Sequence, residues 1–301
     1  ISSTLNSSFG INPLITAIVM SILVGSVIIG GIKRISSIAA SIVPLMALIY
    51  FIGGLSVLIF NYENIIPSLK IIIFDVFEGS SVVGGFLGAS FSLAFTYGVA
   101  RGLYSNEAGQ GSAPIAHATS KTKHSVEEGF VSILEPFIDT LIICTLTGLI
   151  ILSSGAWTEK FTNEFERSSM YVVNGSLDEK KDNVEILKLL SGEVSKLEEF
   201  SGELVVSSGK ISNQISIINN RSIAEEVIIY KNNELFTGVI NIKENTIDSS
   251  FKFVGKSLVK SAVLTSKAFN KGFFGNYGEF IVSIGLLLFA FSTVITWAYY
   301  G

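Results

Sequence analysis

The sequence predicts an all-α multi-pass membrane bundle interrupted by a soluble, mostly β insertion. Three observations predict it. Charged residues make up 15% of the 301 residues, against about 25% in soluble domains, while hydrophobic residues reach 49% and the mean hydropathy is +0.56. About two thirds of the charged residues fall between Gly155 and Asn270, which leaves the flanks strongly apolar. Those flanks hold five apolar stretches of roughly 20 residues, the length a helix needs to cross about 30 Å of hydrocarbon. The expected organisation is therefore residues 1–155 with four spans, 156–262 as the insertion, and 263–301 with the fifth span.

The spans follow in order. Pro13 to Ile32 is uncharged and is followed by Lys33 and Arg34; Ser36 to Phe60 contains Pro44, tolerable within a membrane helix. Pro67 to Phe77 is too short to cross and reads as an interfacial or re-entrant helix, or equally as a strand or loop packed on the bundle. Ser81 to Ala100 is rich in small residues that favour close helix packing. Gly129 to Ser153 is broken by Glu135 and Asp139, and Gly278 to Ala298 is the last span. Lys33 and Arg34 share a side with Lys121 and Lys123, which the positive-inside bias makes cytoplasmic. The insertion then lies outside. Its charged first part has a helical run near Glu185 to Phe200. Short apolar pieces follow, with Lys231-Asn-Asn-Glu234 as a hairpin turn between two of them. Asn174-Gly-Ser176 and Asn220-Arg-Ser222 match the glycan acceptor pattern, relevant only in a glycosylating host.

Composition also excludes. A net charge of −4 points to no nucleic-acid partner, and the lone Cys144 rules out an intrachain disulfide. No nucleophile and base stand in a suitable context, so the chain does not read as an enzyme. No organic cofactor is implied.

The stretch organising the chain runs from Tyr97 to His117, where four glycines, Pro114, Arg101 and Glu107 interrupt a long apolar run. Unwound backbone is tolerated at membrane depth only where it lines a cavity, so such a break points to a transporter binding site; the competing reading is a loop outside the membrane. Arg101 and Glu107 either pair with each other or sit in a wet vestibule. Asp139 either gates or binds a cation or proton, or bonds unwound backbone. His117 is a proton relay or a solvated helix end. Ser292, Thr293 and Thr296 are hydroxyls inside an apolar helix, bonding back to helix carbonyls or ligating a hard monovalent cation. Trp297 is an interfacial anchor or a pocket wall.

Ala100-Arg-Gly-Leu-Tyr-Ser-Asn-Glu-Ala-Gly-Gln-Gly-Ser-Ala-Pro-Ile-Ala-His-Ala118 strongly resembles the signature of the alanine/glycine:cation symporter family, the sodium:alanine symporters. The blocks Gly30 to Ile35, Phe137 to Thr145, Leu264 to Phe269 and Phe289 to Gly301 resemble further family blocks in the right order. The resemblance implies a leucine-transporter-like inverted-repeat fold, of which the five spans would be helices 4–8 of a longer polypeptide that also supplies helices 1–3 and those after 8. It implies Na⁺-coupled (in some cases H⁺-coupled) symport of alanine and glycine across the plasma (inner) membrane by alternating access. The substrate site it implies is drawn from Phe95, Thr96, Gly98, Ser105, Asn106, Gly109 and Trp297, with Ser292 and Thr293 as Na⁺ ligands; the next position, often a second ligand in transporters of this fold, is Val294. The insertion departs from the family, whose loop there is usually short. The alternative is a membrane sensor: a transporter body carrying a ligand-binding external domain.

Overall fold

The structure is a computed structural model, and it describes residues 5, 9–78, 95–96, 98–100, 111–179, 181–191, 194–242 and 247–300. These fall into two compact units, one within residues 1–71, 95–156 and 261–301, the other within 72–94 and 157–260. The expected third span lies mostly outside the described residues.

The first unit is helical. Helix α1 (Pro13–Ile28) opens on Asn12, whose side chain accepts from the Leu14 amide at 2.9 Å, with proline at the first turn. This is a standard N-terminal stop-and-start signal. The helix ends earlier than the apolar run suggested, because Gly31 takes a positive φ of 70° and turns the chain. Helix α2 (Gly31–Phe60) therefore already contains Lys33 and Arg34 and runs through Pro44. The stretch Pro67 to Phe77 is a helix, α3 (Ile65–Glu78). Helix α4 (Ala113–His117) is a single turn, and α5 (Ser125–Pro136) continues into a π-helical segment, Phe137–Cys144, and then α6 (Thr145–Ser153). The wider register begins directly after Pro136, which has no N–H to give and whose ring crowds the carbonyl one turn back. The apolar count that marked this span carries no such signal. Helices α8 (Ser261–Asn270) and α9 (Gly278–Tyr300) close the unit. By length and composition, Gly31–Phe60, Ser125–Ser153 and Gly275–Ala298 can each cross a membrane.

Packing centres on Gly53 and Gly54 in the last third of α2. A Cβ on Gly53 would lie 2.9 Å from Ile281 Cγ2 and 3.1 Å from Phe269 Cε1; one on Gly54 would lie 2.7 Å from Ile150 Cδ1. The missing side chains let α8, α9 and α6 approach the same turn of α2. One turn on, Val57 is fully buried, and a Cβ on Gly272 would come within 2.7 Å of it. Tyr50 fills the layer one turn before. Its ring lies 5.3 Å from that of Phe269 and 6.5 Å from that of Phe289, and its hydroxyl is 2.8 Å from Thr147 Oγ1. Farther along, Val27, Ile35 and Ile295 join α1, α2 and α9 in a second cluster. Asparagine side chains fix the helix ends: Asn61 Nδ2 donates to Lys271 O, Asn64 Nδ2 to Ser153 O, and the Glu279 amide to Asn270 Oδ1.

The second unit holds three antiparallel sheets and helix α7 (Asn183–Ser191). Strands β1 (Lys160–Glu164), β10 (Phe251–Leu258), β7 (Glu225–Lys231) and β8 (Glu234–Leu235) form one sheet in that order. The second is β2 (Met170–Asn174), β5 (Ile215–Asn219) and β6 (Ser222–Ile223); the third is β4 (Lys210–Ile211), β3 (Gly202–Ser207) and β9 (Gly238–Ile242). Their inner residues, among them Val172, Leu204, Ile217, Ile229, Ile240 and Phe253, share one core. The turn at Lys231 to Glu234 joins β7 to β8 with Asn232 and Asn233 both at positive φ, as a two-residue hairpin loop of type I′ requires.

The helical run expected up to Phe200 stops at Ser191 instead. Beyond it the chain folds back on the helix, where Glu185 Oε2 accepts from the Lys196 amide at 2.7 Å and from Ser195 Oγ at 3.3 Å. The Lys196 amide, then the Lys188 ammonium, hold the Glu185 carboxyl below its ordinary range. A carboxyl with a depressed folded pKa contributes stability above its unfolded value, and that contribution is lost as pH falls through the lowered value.

Two outcomes are expected. Gly53→Ala lowers the melting temperature in detergent by an amount equivalent to about 1–3 kcal/mol, whereas Gly25→Ala, where a Cβ meets nothing within 4 Å, leaves it unchanged or raised. The hydrogen-exchange protection factor of the Lys196 amide falls as pH drops from neutral to below the Glu185 pKa, and Glu185→Gln makes it low and flat across that range.

Candidate functional site

The site residues expected from the sequence belong to the broken stretch, the π-containing helix and α9. Of the first group, Phe95, Thr96 and Gly98 are described and all three are exposed. Arg101, Ser105, Asn106, Glu107 and Gly109 lie outside the described residues. The chain is described again from Gly111, whose φ is +71°, and α4 follows at once with Pro114 in its first turn. The last five residues of the stretch expected to be broken, Ala113–His117, are therefore helical.

That helix is tied to the next one. His117 Nδ1 lies 2.6 Å from Glu128 Oε1, both side chains being about three-quarters buried. Eleven residues separate the two, and no helical or strand periodicity relates them, so only the folded chain reveals the pair.

Asp139 occupies the third position of the π-helical segment and is half-buried. π-Helical turns are uncommon and concentrate at functional sites. Thr147, on the following α-helical turn, donates to Ile143 O at 2.9 Å while touching Tyr50 of α2.

On α9 the hydroxyls bond back to the helix. Ser292 Oγ and Thr293 Oγ1 both donate to Phe289 O, at 2.9 and 2.8 Å, and Thr296 Oγ1 donates to Ser292 O at 2.8 Å. A hydroxyl that donates in this way still has oxygen lone pairs to offer. Ser292 is buried, with its oxygen 3.9 Å from Met46 Sδ of α2, whereas Thr293 is exposed. One residue of helix turns the two about 100° apart, so they do not converge on one point within this chain. Trp297 is one turn beyond Thr293 and also exposed, at 42%. Thr293 and Trp297 therefore share a face, and Ser292 belongs to the α2–α9 contact.

Among the described residues no group of three His, Cys, Asp or Glu side chains is placed to hold a metal ion. The oxygen set on α9 is neutral, which suits a hard cation of low charge better than a transition metal.

Three helices apolar and long enough to cross a membrane, packed through glycines, are the architecture of a membrane protein. The profile of the sodium:alanine symporter family matches residues 1–181 and 236–301, and the chain belongs to that family, which is one of transporters and not of enzymes. An uncharacterized transporter of Bacillus subtilis (strain 168) is 45% identical over 160 residues, covering 53% of this chain and 34% of the relative. A sodium/alanine symporter of Methanococcus maripaludis is 42% identical over 155 residues, covering 52% and 33%. A probable sodium/glutamine symporter of Bacillus subtilis (strain 168) is 39% identical over 157 residues, covering 52% and 32%. The chain spans about a third of the length of the curated relatives it matches.

Thr293→Val deletes only a bond to the donor's own helix, and Ser292→Ala deletes such a bond together with the contact to Met46 Sδ. Each is expected to cost no more than about 1 kcal/mol in detergent unfolding, so any change they cause in cation dependence reads binding and not folding.

Proposed function

We propose that this chain forms part of a Na⁺-coupled importer of small neutral amino acids, with alanine and glycine as the substrates. The observation that carries the reading is family membership through a match that includes both the broken stretch and the hydroxyl-bearing helix α9. Relatives named for alanine and for glutamine indicate that the family backbone accommodates more than one side chain. The choice of substrate then rests on local pocket residues. In this reading the glycine-rich break frees backbone N–H and C=O groups near mid-membrane. The amides face the substrate carboxylate and the carbonyls face the cation. Phe95, Thr96, Gly98, Ser105, Asn106 and Gly109 surround the amino acid, and Trp297 closes a pocket too small for a long side chain. Thr293, on the same face as Trp297, offers its oxygen to Na⁺, and Ser292 joins it if α9 rotates during the cycle. Asp139, at the π-helical segment, braces the break or carries a coupling charge, and Arg101 with Glu107 neutralise one another beside it.

The same reading assigns the five spans to helices 4–8 of a leucine-transporter-like inverted repeat. It places residues 156–262 as a domain outside the plasma membrane. The exposed Asn174, at the end of β2 before Gly175, makes that placement testable: expressed in a glycosylating host, an external domain gains a glycan there and loses it in Asn174→Gln.

Counterflow of labelled L-alanine into proteoliposomes containing the full-length protein tests the function. Uptake with Na⁺ but not choline outside, competed by glycine and lost in Asn106→Ala or Thr293→Ala, is the expected outcome. Uptake driven by a proton gradient alone would change the ion, and alanine binding without uptake would overturn transport in favour of a sensor.

A further inference from the structure

Each of the three sheets in the second unit has two edges, and five of the six are blunted. Strands β4, β6 and β8 are two residues long. Strand β1 carries Lys160 and Glu164 at its ends. The outer edge of β2 is covered by residues 198–200, with the Asn174 amide donating to Glu198 O and the Phe200 amide to Val172 O. Short strands, charges and covering segments are the usual devices that keep an edge from pairing with another chain.

The sixth edge, β9, has none of them among the described residues. It is five residues long, uncharged and free of proline: Gly238-Val-Ile-Asn-Ile242. Its pairing with β3 shows which backbone groups are spare. Val205 turns its own N–H and C=O away from β9, the N–H to Asn213 Oδ1 at 2.7 Å and the C=O to the Ser212 amide at 3.0 Å; Glu203 O likewise accepts from Asn213 Nδ2. Val205 stands opposite Val239, and Glu203 opposite Asn241. In an antiparallel ladder, opposed residues that do not bond each other both point outward. The N–H and C=O of Val239 and Asn241 therefore face away from the sheet. The side chains of Val239 and Val205 lie side by side and exposed, at 49% and 44%.

We propose that β9 pairs with β9 of a second copy of this chain, joining two sheets into one across a two-fold axis at Ile240. The register is self-complementary. It sets Val239 opposite Asn241 of the second copy and Asn241 opposite Val239, so each outward N–H meets an outward C=O and no like charges are opposed. An edge this short buries too little area to hold two free proteins together. Confinement of both copies to one bilayer, in one orientation, supplies the effective concentration that makes it sufficient. A two-fold axis along the membrane normal preserves that orientation.

The test uses the full-length protein in native membranes, in a background from which Cys144 and every other cysteine have been removed. Two differently tagged copies are co-expressed, one with Val239→Cys and one with Asn241→Cys, and treated with a mild oxidant. The expected result is a mixed-tag disulfide dimer, formed faster than by Val239→Cys paired with itself. It should also form faster than the dimer of Val194→Cys, which lies on the same unit at 96% exposure and reports random collision. Val239→Lys with Asn241→Lys on both copies should abolish association. A copy bearing Val239→Glu with Asn241→Glu should restore it when mixed with the lysine copy, which a misfolded variant would not do. Mixed cross-linking no faster than the collision control, or no charge rescue, overturns the proposal. So does shielding of Val239→Cys from a water-soluble thiol reagent without cross-linking, which would assign the edge to a different partner.

Discussion

The helical unit depends on one turn of α2 that has no side chains where its neighbours need room. Apolar surface gives no reason for helices to associate when the solvent is lipid; close backbone approach and van der Waals contact do. Gly53 and Gly54 supply that approach toward α8, α9 and α6 at once. The aromatic layer at Tyr50 lies one turn before the pair, the buried Val57 one turn after it, and the asparagine contacts at Asn61 and Asn64 just past the end of the same helix. Widening the α2–α9 gap would separate Ser292 from Met46 and alter the angle at which the hydroxyl face is presented. The glycine pair thus sets the spacing of the α2–α9 contact to which Ser292 belongs.

Much of this was legible in the sequence because membrane helices announce themselves by length and by the absence of charge. The glycines, proline and charges from Tyr97 to His117 mark an interrupted apolar run, most of which lies outside the described residues. The strand content after Glu203 and the Lys231 to Glu234 turn could be read from alternating short apolar pieces and an Asn-Asn pair. Other features were not legible, for physical reasons. The π-helical segment leaves the apolar pattern intact and differs only in which carbonyl each amide reaches. The early end of α1 turns on the φ of one glycine among three. The contact of Glu185 with Ser195 and Lys196 joins residues whose side chains say nothing of their partner until the chain has folded back. The His117–Glu128 pair is invisible for the same reason.

Within the candidate site, sequence reasoning grouped Ser292 and Thr293 as one ligand set by residue type. Helical geometry places them on different faces, Ser292 inward and Thr293 outward beside Trp297. Composition identifies oxygen atoms; only the direction of each side chain says which of them share a surface. Ligand sets inferred along a helix are therefore best taken at spacings of three and four, as Thr293 and Trp297 are.

The sheet-bearing segment 157–260 begins and ends on neighbouring strands. Lys160 of β1 stands opposite Leu258 of β10, so nearly a hundred residues leave and return at one point. The stretch the family profile passes over, 182–235, lies wholly within that stem. Growth or loss of material there alters the length of a loop whose ends are already clamped together, and the entropy of closing such a loop rises only slowly with its length. The stem thus works as a socket: what it carries can be enlarged, trimmed or exchanged in evolution or by engineering, while the chain on either side of it keeps the same ends to join.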